Sequence, residues 1–150
     1  MNKVIRHIPT AAGILLGLAF IAASTMYLFD LAEAPPLEEG SPPQLFMSAV
    51  APTGYLTFIK ILELAGGVLV AIPLTRRLGL LILCPIVVNI VAYHTFLMDG
   101  EGLAEPMIVA VLVLTAFLLV VERKALVGLI KRPKPAKPAP AQPTPQKPAE

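Results

Sequence analysis

Cysteine and charge are both scarce in this chain. Cys84 stands alone among 150 residues, which excludes an internal disulfide, a stapled secreted fold and a self-contained dithiol redox centre. Only 15% of the residues are charged, too few to clothe an ordinary soluble domain. The formal net charge is +2, and its basic residues collect at the two ends and one short turn, so no basic face invites nucleic acid. What fills the chain instead is apolar: 56% of residues are hydrophobic and the mean hydropathy is +0.76. That composition places it in the membrane class as one small domain.

Four stretches are long and apolar enough to cross a hydrocarbon core of about 30 Å, which takes roughly 20 helical residues. They are Ile8 to Leu31, Gly54 to Leu74, Leu78 to Met98 and Ala104 to Val121. Each must be helical. No water bonds the backbone in lipid, and none of the four alternates polar and apolar residues as a barrel strand would. The expected fold is an all-α integral membrane four-helix bundle. Residues 1–7 form a short N-terminus, 8–124 the bundle and 125–150 a basic tail.

Orientation follows from a second absence. The loop with Asp30, Glu33, Glu38 and Glu39, and the loop with Asp99, Glu101 and Glu105, contain no Lys or Arg. The N-terminus has Lys3 and Arg6 and the middle turn has Arg76 and Arg77. The C-terminal segment has Arg123, Lys124, Lys131, Arg132, Lys134, Lys137 and Lys147. Positive residues stay inside, so both termini are expected in the cytoplasm. The start also imitates a secretory signal, with Ala32-Glu33-Ala34 as the cleavage site. Its apolar run is about twice the usual signal core, however, and Gly13-x-x-x-Gly17 is a close-packing spacing for membrane helices. An anchor is the better reading.

Pro35-Pro36 and Pro42-Pro43 forbid a continuous helix in the first acidic loop. Ser41 as N-cap, with prolines in the first turn, predicts a short interfacial helix over Gln44 to Val50. Beyond Val121 the last helix runs through Glu122, Arg123 and Lys124 into an apolar patch, Ala125 to Ile130. Pro133 to Glu150 is almost all Pro, Ala, Lys, Gln and Thr and reads as a solvated polyproline-like tail, with a Pro-x-x-Pro docking motif at Pro135 and Pro138 as its alternative.

Any chemistry must come from the few polar residues inside the spans. Lys60 and Glu63 lie three apart on one helix face, and ionisable groups in a span usually turn inward, pair and mark a functional site. The competing reading is a structural ion pair with Lys60 reaching toward the interface. With the turn between the second and third spans centred near Arg76, Asn89 falls level with Glu63 and His94 level with Phe58. Lys60, Glu63, Asn89 and His94 are therefore expected to form one polar cluster. Gly66-Gly67 lies a turn below it, and Gly13, Gly17, Gly66 and Gly67 are the expected close-packing positions.

Bis-histidine haem is excluded, since His7 and His94 fall at opposite ends. His94 and Met98 sit four apart on one helix, so they cannot supply opposite axial ligands. Met26, Met47, Met98 and Met107 with His94 suggest a soft copper site, yet methionine as core filler explains them more simply. No flavin or metal motif is present. Cys84 before Pro85 reads as a packing residue.

The stretch Met47-Ser48-Ala49-Val50-Ala51-Pro52-Thr53-Gly54-Tyr55-Leu56, followed by Lys60 to Gly67 and then Pro85 to Ile90 with His94, resembles the DoxX family. The resemblance covers most of the chain between Ile8 and Lys124. It implies a small four-helix bundle in the bacterial cytoplasmic membrane. It also implies association with membrane redox complexes, including a thiosulfate:quinone oxidoreductase, or with the assembly of other membrane proteins. Lys60, Glu63, Asn89 and His94 match the family's intramembrane polar pattern, which brings no residue roles with it.

The expected function is an accessory, quinone-linked subunit of a membrane redox system. His94 and Lys60 would donate hydrogen bonds to a quinone carbonyl, and Glu63 would relay the proton. No self-contained catalytic motif is present, so the electrons must come from a partner. The alternative is a non-catalytic scaffold or assembly factor that holds a partner's helix against the four glycines. A transporter is a weaker third reading, because four helices without an internal repeat need a dimer for alternating access. Homo-oligomerisation is left open.

Overall fold

The computed structural model describes residues 3–31 and 36–130. The possible cleavage site at Ala32 to Pro35 and the proline-rich tail lie outside the described residues. Five α-helices follow in order: α1 Lys3–Leu28, α2 Pro42–Val50, α3 Tyr55–Ala71, α4 Arg76–Phe96 and α5 Pro106–Ile130. A single 3-10 turn, Ala51–Thr53, joins α2 to α3. Among the described residues there is no strand.

Three helices, α1, α4 and α5, are each long and apolar enough to cross a membrane. A fourth crossing exists only if α2, the 3-10 turn and α3 count as one broken span. The expected span from Gly54 to Leu74 is thus shorter than the sequence suggested, and local backbone chemistry explains both of its ends. Ile72 precedes Pro73 and takes the extended conformation (φ −88°, ψ 120°) that a following proline favours, so α3 stops at Ala71. At the other end Gly54 has φ 76°, open to glycine without strain, and the chain bends there by 85°.

Capping accounts for α2. Ser41 is extended (φ −68°, ψ 152°), its hydroxyl accepts a hydrogen bond from the Gln44 N–H at 3.4 Å, and two prolines occupy the first turn, where no donor is needed. Ser41→Ala is expected to cost only about 0.5–1 kcal/mol, because the bond is long. Hydrogen exchange should show it as faster exchange at Gln44 with α3–α5 unchanged. At the chain's other end α5 begins at Pro106 and continues unbroken to Ile130, absorbing the segment from Ala125 that the sequence reading set apart as tail.

α1 packs along α3, and α3 along α4, while α5 lies more loosely against α1 and α4. The core is Ala12, Leu16 and Phe20 from α1, Val70 from α3, Leu80, Leu83, Ile86 and Val87 from α4, and Leu118 from α5. Glycines set the helix spacing. A Cβ on Gly17 would lie 2.5 Å from the Gly67 carbonyl oxygen, and one on Gly13 would lie 2.8 Å from both the Val70 carbonyl oxygen and Arg76 Nε. Gly66 faces the Leu83 side chain. Gly79 of α4, absent from the sequence-based set, makes the closest approach of all, against the backbone of Val70 and Gly66. All five positions are filled by the chain's own helices.

Candidate functional site

Ser24 of α1 and Lys60 of α3 converge on one carboxylate, Glu63 of α3. Lys60 Nζ donates to Glu63 Oε2 at 2.8 Å, and Ser24 Oγ donates to the same oxygen at 3.3 Å. The i,i+3 spacing on α3 makes the first contact. The second exists because Ser24 lies two helical turns beyond Gly17 on the same face of α1, where glycine contact holds α1 against α3. Ser24 is wholly buried and the Glu63 side chain is 5% exposed, while the Lys60 side chain keeps 26% of its surface. The Tyr27 ring centroid lies 6.0 Å from Lys60 Nζ, at the outer limit of a cation–π contact.

Lys60 and Glu63 of this triad border a cavity of about 180 Å³. Its remaining wall is apolar: Phe20 and Ala23 from α1, Val87 and Ile90 from α4, and Met107, Ile108, Val111 and Leu112 from α5. An apolar hole of about 150 Å³ admits one aromatic ring, so this one has room for a single-ring head group. Glu63 Oε1 accepts none of the hydrogen bonds formed among the described residues. Lys60 carries three N–H protons, of which Glu63 takes one. The site can therefore both donate to and accept from a guest.

The structure does not bring Asn89 and His94 into this group. The α3–α4 turn spans Ile72 to Thr75 and is not centred at Arg76, so the register of the two helices shifts: Gly66 faces Leu83, and Gly79 faces Val70. α4 is also rotated so that Val87 and Ile90 line the cavity while Asn89 turns outward and is exposed. His94 belongs to the far end of α4. Its Nδ1 lies 2.8 Å from the Glu101 carbonyl oxygen, a bond that requires the proton on Nδ1, and its ring stands edge-on to Tyr93 at 5.5 Å. It fastens the α4–α5 loop where Gly102, with φ 79°, leaves space for the ring.

Sequence reasoning missed Ser24, although its distance from Gly17 was the available signal. It also missed a second charged group at the opposite end of the helices. There Arg77 Nε lies 3.0 Å, and Arg76 Nη1 3.7 Å, from Glu122 of α5. Arg76 is 4% exposed, and its Nε and Nη2 have no hydrogen-bond partner among the described residues. This group ties α4 to α5 and borders no cavity among those described. Nor do any three His, Cys, Asp or Glu side chains among the described residues converge as a metal site would require.

Compared with known proteins, the chain matches no family model, no curated protein and no solved structure.

Proposed function

We propose that this chain is a DoxX-like membrane protein of four spans, an accessory subunit of a membrane redox system that holds a quinone-like molecule by its polar head at Lys60 and Glu63. The observation that carries the reading is a buried carboxylate already holding one lysine and one serine, set in the wall of an apolar, ring-sized cavity. A quinone carbonyl is an acceptor and would take a hydrogen bond from Lys60. The hydroxyl of the reduced form is a donor and would bond Glu63 Oε1. One site thus serves both redox states; their interconversion takes two electrons and two protons, and Glu63 is placed to exchange one of those protons, the other passing to or from solvent. The electrons come from a partner protein.

The resemblance of the Met47 to His94 stretch to the DoxX family supports the redox setting. Placement in the bacterial cytoplasmic membrane rests on that resemblance, and both termini inside rests on charge. Arg76, Arg77, Arg123 and Lys124 gather at one end of the helices, and Asp99, Glu101 and Glu105 at the other. In this reading α2 lies on the outer interface and α3, about 26 Å long at 1.5 Å per residue, completes the bundle. His94 leaves the set of proposed donors. The scaffold alternative loses its proposed docking surface, because α1, α3 and α4 already occupy the four glycines.

The test is mass spectrometry of small molecules retained when the protein is extracted in native lipid particles, comparing the natural chain with Glu63→Gln. The amide keeps the volume but removes the charge that orders Lys60 and Ser24. Near-stoichiometric quinone in the natural chain, lost by tenfold or more in the variant, is the expected outcome. Equal retention in both, or none in either, overturns the reading and redirects attention to a protein partner.

A further inference from the structure

The end of the helices at which α4 begins carries more positive charge than it balances. Arg76 and Arg77 of α4 share one carboxylate, Glu122 of α5, and no other acidic side chain lies at this end among the described residues. Arg123 and Lys124 follow Glu122 directly and are both exposed. Two guanidinium groups against one carboxylate leave one positive charge, and Arg123 with Lys124 adds two more. Burial makes the surplus count. Arg76 is 4% exposed and its Nε and Nη2 have no partner among the described residues, so water screens its charge less than it would on an open surface. Arg77 is held to Glu122 through Nε at 3.0 Å, while its side chain is 56% exposed. The rest of its donor fork is therefore positioned and free to meet an acceptor from outside.

The face that α5 turns outward sets these charges beside lipid. Val113, Phe117, Val120, Lys124 and Val127 recur at helical spacing and all are exposed. Thr115 and Leu118, on the opposite face, are buried in the bundle. The outward face is apolar as far as Val120 and turns basic one helical turn later, at Lys124. Hydrocarbon therefore meets it up to Val120, and lipid head groups fall level with Lys124, Arg123 and the Arg77–Glu122 pair. Every phospholipid brings a phosphate to that level. A zwitterionic head group also brings a cation, which the surplus charge repels, and an anionic head group does not. Basic residues set just beyond a membrane helix accordingly favour anionic lipid.

We infer that this end of α4 and α5 is a recognition surface for anionic phospholipid head groups, met by Arg77, Arg123 and Lys124 with the buried charge of Arg76 behind them. It rests on the membrane placement argued above and not on the quinone reading, because none of these residues borders the Lys60–Glu63 cavity. Lys131, Arg132, Lys134 and Lys137 follow in sequence, so the experiment has to separate their contribution from that of the helices.

The chain has no tryptophan, so one placed on the outward face of α5 reports which lipid lies beside it. Val120 is 60% exposed and leaves room for the larger ring. Full-length Val120→Trp protein is reconstituted in vesicles of equal parts phosphatidylglycerol and phosphatidylcholine, with the acyl chains of one or the other brominated to quench the fluorescence. Phosphatidylglycerol should be preferred by about fivefold or more, the effect of one basic residue near an anionic surface. Adding Arg123→Gln and Lys124→Gln should bring the two lipids close to parity, and about 1 M salt should weaken the preference in the unaltered background. Val109→Trp, near the acidic end of α5, should show no preference for the anionic lipid. Replacing Lys131, Arg132, Lys134 and Lys137 together by Gln should leave most of the preference at Val120→Trp intact. Equal quenching by the two lipids at Val120→Trp overturns the inference, as does a preference that survives the Arg123 and Lys124 replacements or recurs at Val109→Trp. A preference abolished by the four tail replacements overturns it as well, by assigning recognition to the tail. Quenching by neither lipid would remove the membrane placement itself, and the inference with it.

Discussion

Lys60→Met is expected to destabilise the folded chain by about 3–5 kcal/mol, the usual cost of leaving one member of a buried ion pair uncompensated. The reason lies in Glu63. Its side chain is 5% exposed, and without Lys60 the one remaining polar partner of its Oε2 is the Ser24 hydroxyl at 3.3 Å. A neutral donor so placed cannot balance a carboxylate in apolar surroundings. The double replacement Lys60→Met with Glu63→Leu should recover most of the loss, since a well-packed apolar pair often equals or exceeds a buried ion pair in stability. Unfolding titrations in mixed micelles compare the three chains. A double variant as unstable as the single one would show that packing, rather than charge, holds α1 to α3. The same chains separate stability from binding: the double variant should fold yet retain no quinone, because it lacks both the donor and the acceptor. Thermodynamic recovery without functional recovery would mean that the pair is kept for the ligand.

The second large effect comes from adding a single methyl group. Gly79→Ala places a Cβ against the Val70 amide nitrogen and within 2.8 Å of the Gly66 carbonyl oxygen and Val70 Cα. These are backbone atoms of α3 and cannot swing aside as a flexible side chain would, so α3 and α4 must move apart. Overpacking of this kind costs about 1–3 kcal/mol, and the upper end is expected here because the whole helix interface has to shift. Gly128→Ala is the control. It lies in α5 with nothing within 4 Å of the point its new methyl group would occupy, and replacing an unhindered helical glycine should stabilise by about 0.4–1 kcal/mol. The same substitution at two sites should therefore move the thermal midpoint in micelles in opposite directions. A drop at both positions would mean that the close approach at Gly79 does not limit the α3–α4 distance.

The ionic end opposite the proposed ligand site has a different logic from the Lys60–Glu63 pair. Arg76 and Arg77 share Glu122, and Arg76 lies over Gly13, where any side chain on α1 would collide with it. Charges of Arg76 and Arg77 were legible as a topology signal, yet their shared partner was not. Glu122 is 45 residues along the chain from Arg77, and no local spacing links the two. Ser24 was hidden for the same reason, 39 residues from the carboxylate it serves.

Local rules read from the chain held in part: three of the four expected spans are single helices long and apolar enough to cross a membrane, and the Gly54 to Leu74 stretch is one only as part of a broken span. Apolar length and the scarcity of charge imply helices crossing a membrane, because an unpaired backbone is too costly in lipid. Ser41 and its prolines mark the start of α2, and the three-residue spacing of Lys60 and Glu63 puts them in contact, because each is decided within one helical turn. Rotation about the helix axis is not decided that way. Counting residues from a turn estimates depth but not the direction a side chain faces, and moving the turn to Ile72 through Thr75 altered even the depth. Asn89 was therefore placed in a cleft that it does not border and His94 beside a lysine that it does not approach. What only the tertiary structure decided was which faces meet. The close approach of backbone at Gly17, Gly67 and Gly79 sets the rotation of α1 and α4 against α3, and with it the inward turn of Ser24 and the outward turn of Asn89. Apolar composition alone could not settle this, because in lipid both faces of a helix are hydrophobic and only shape distinguishes them.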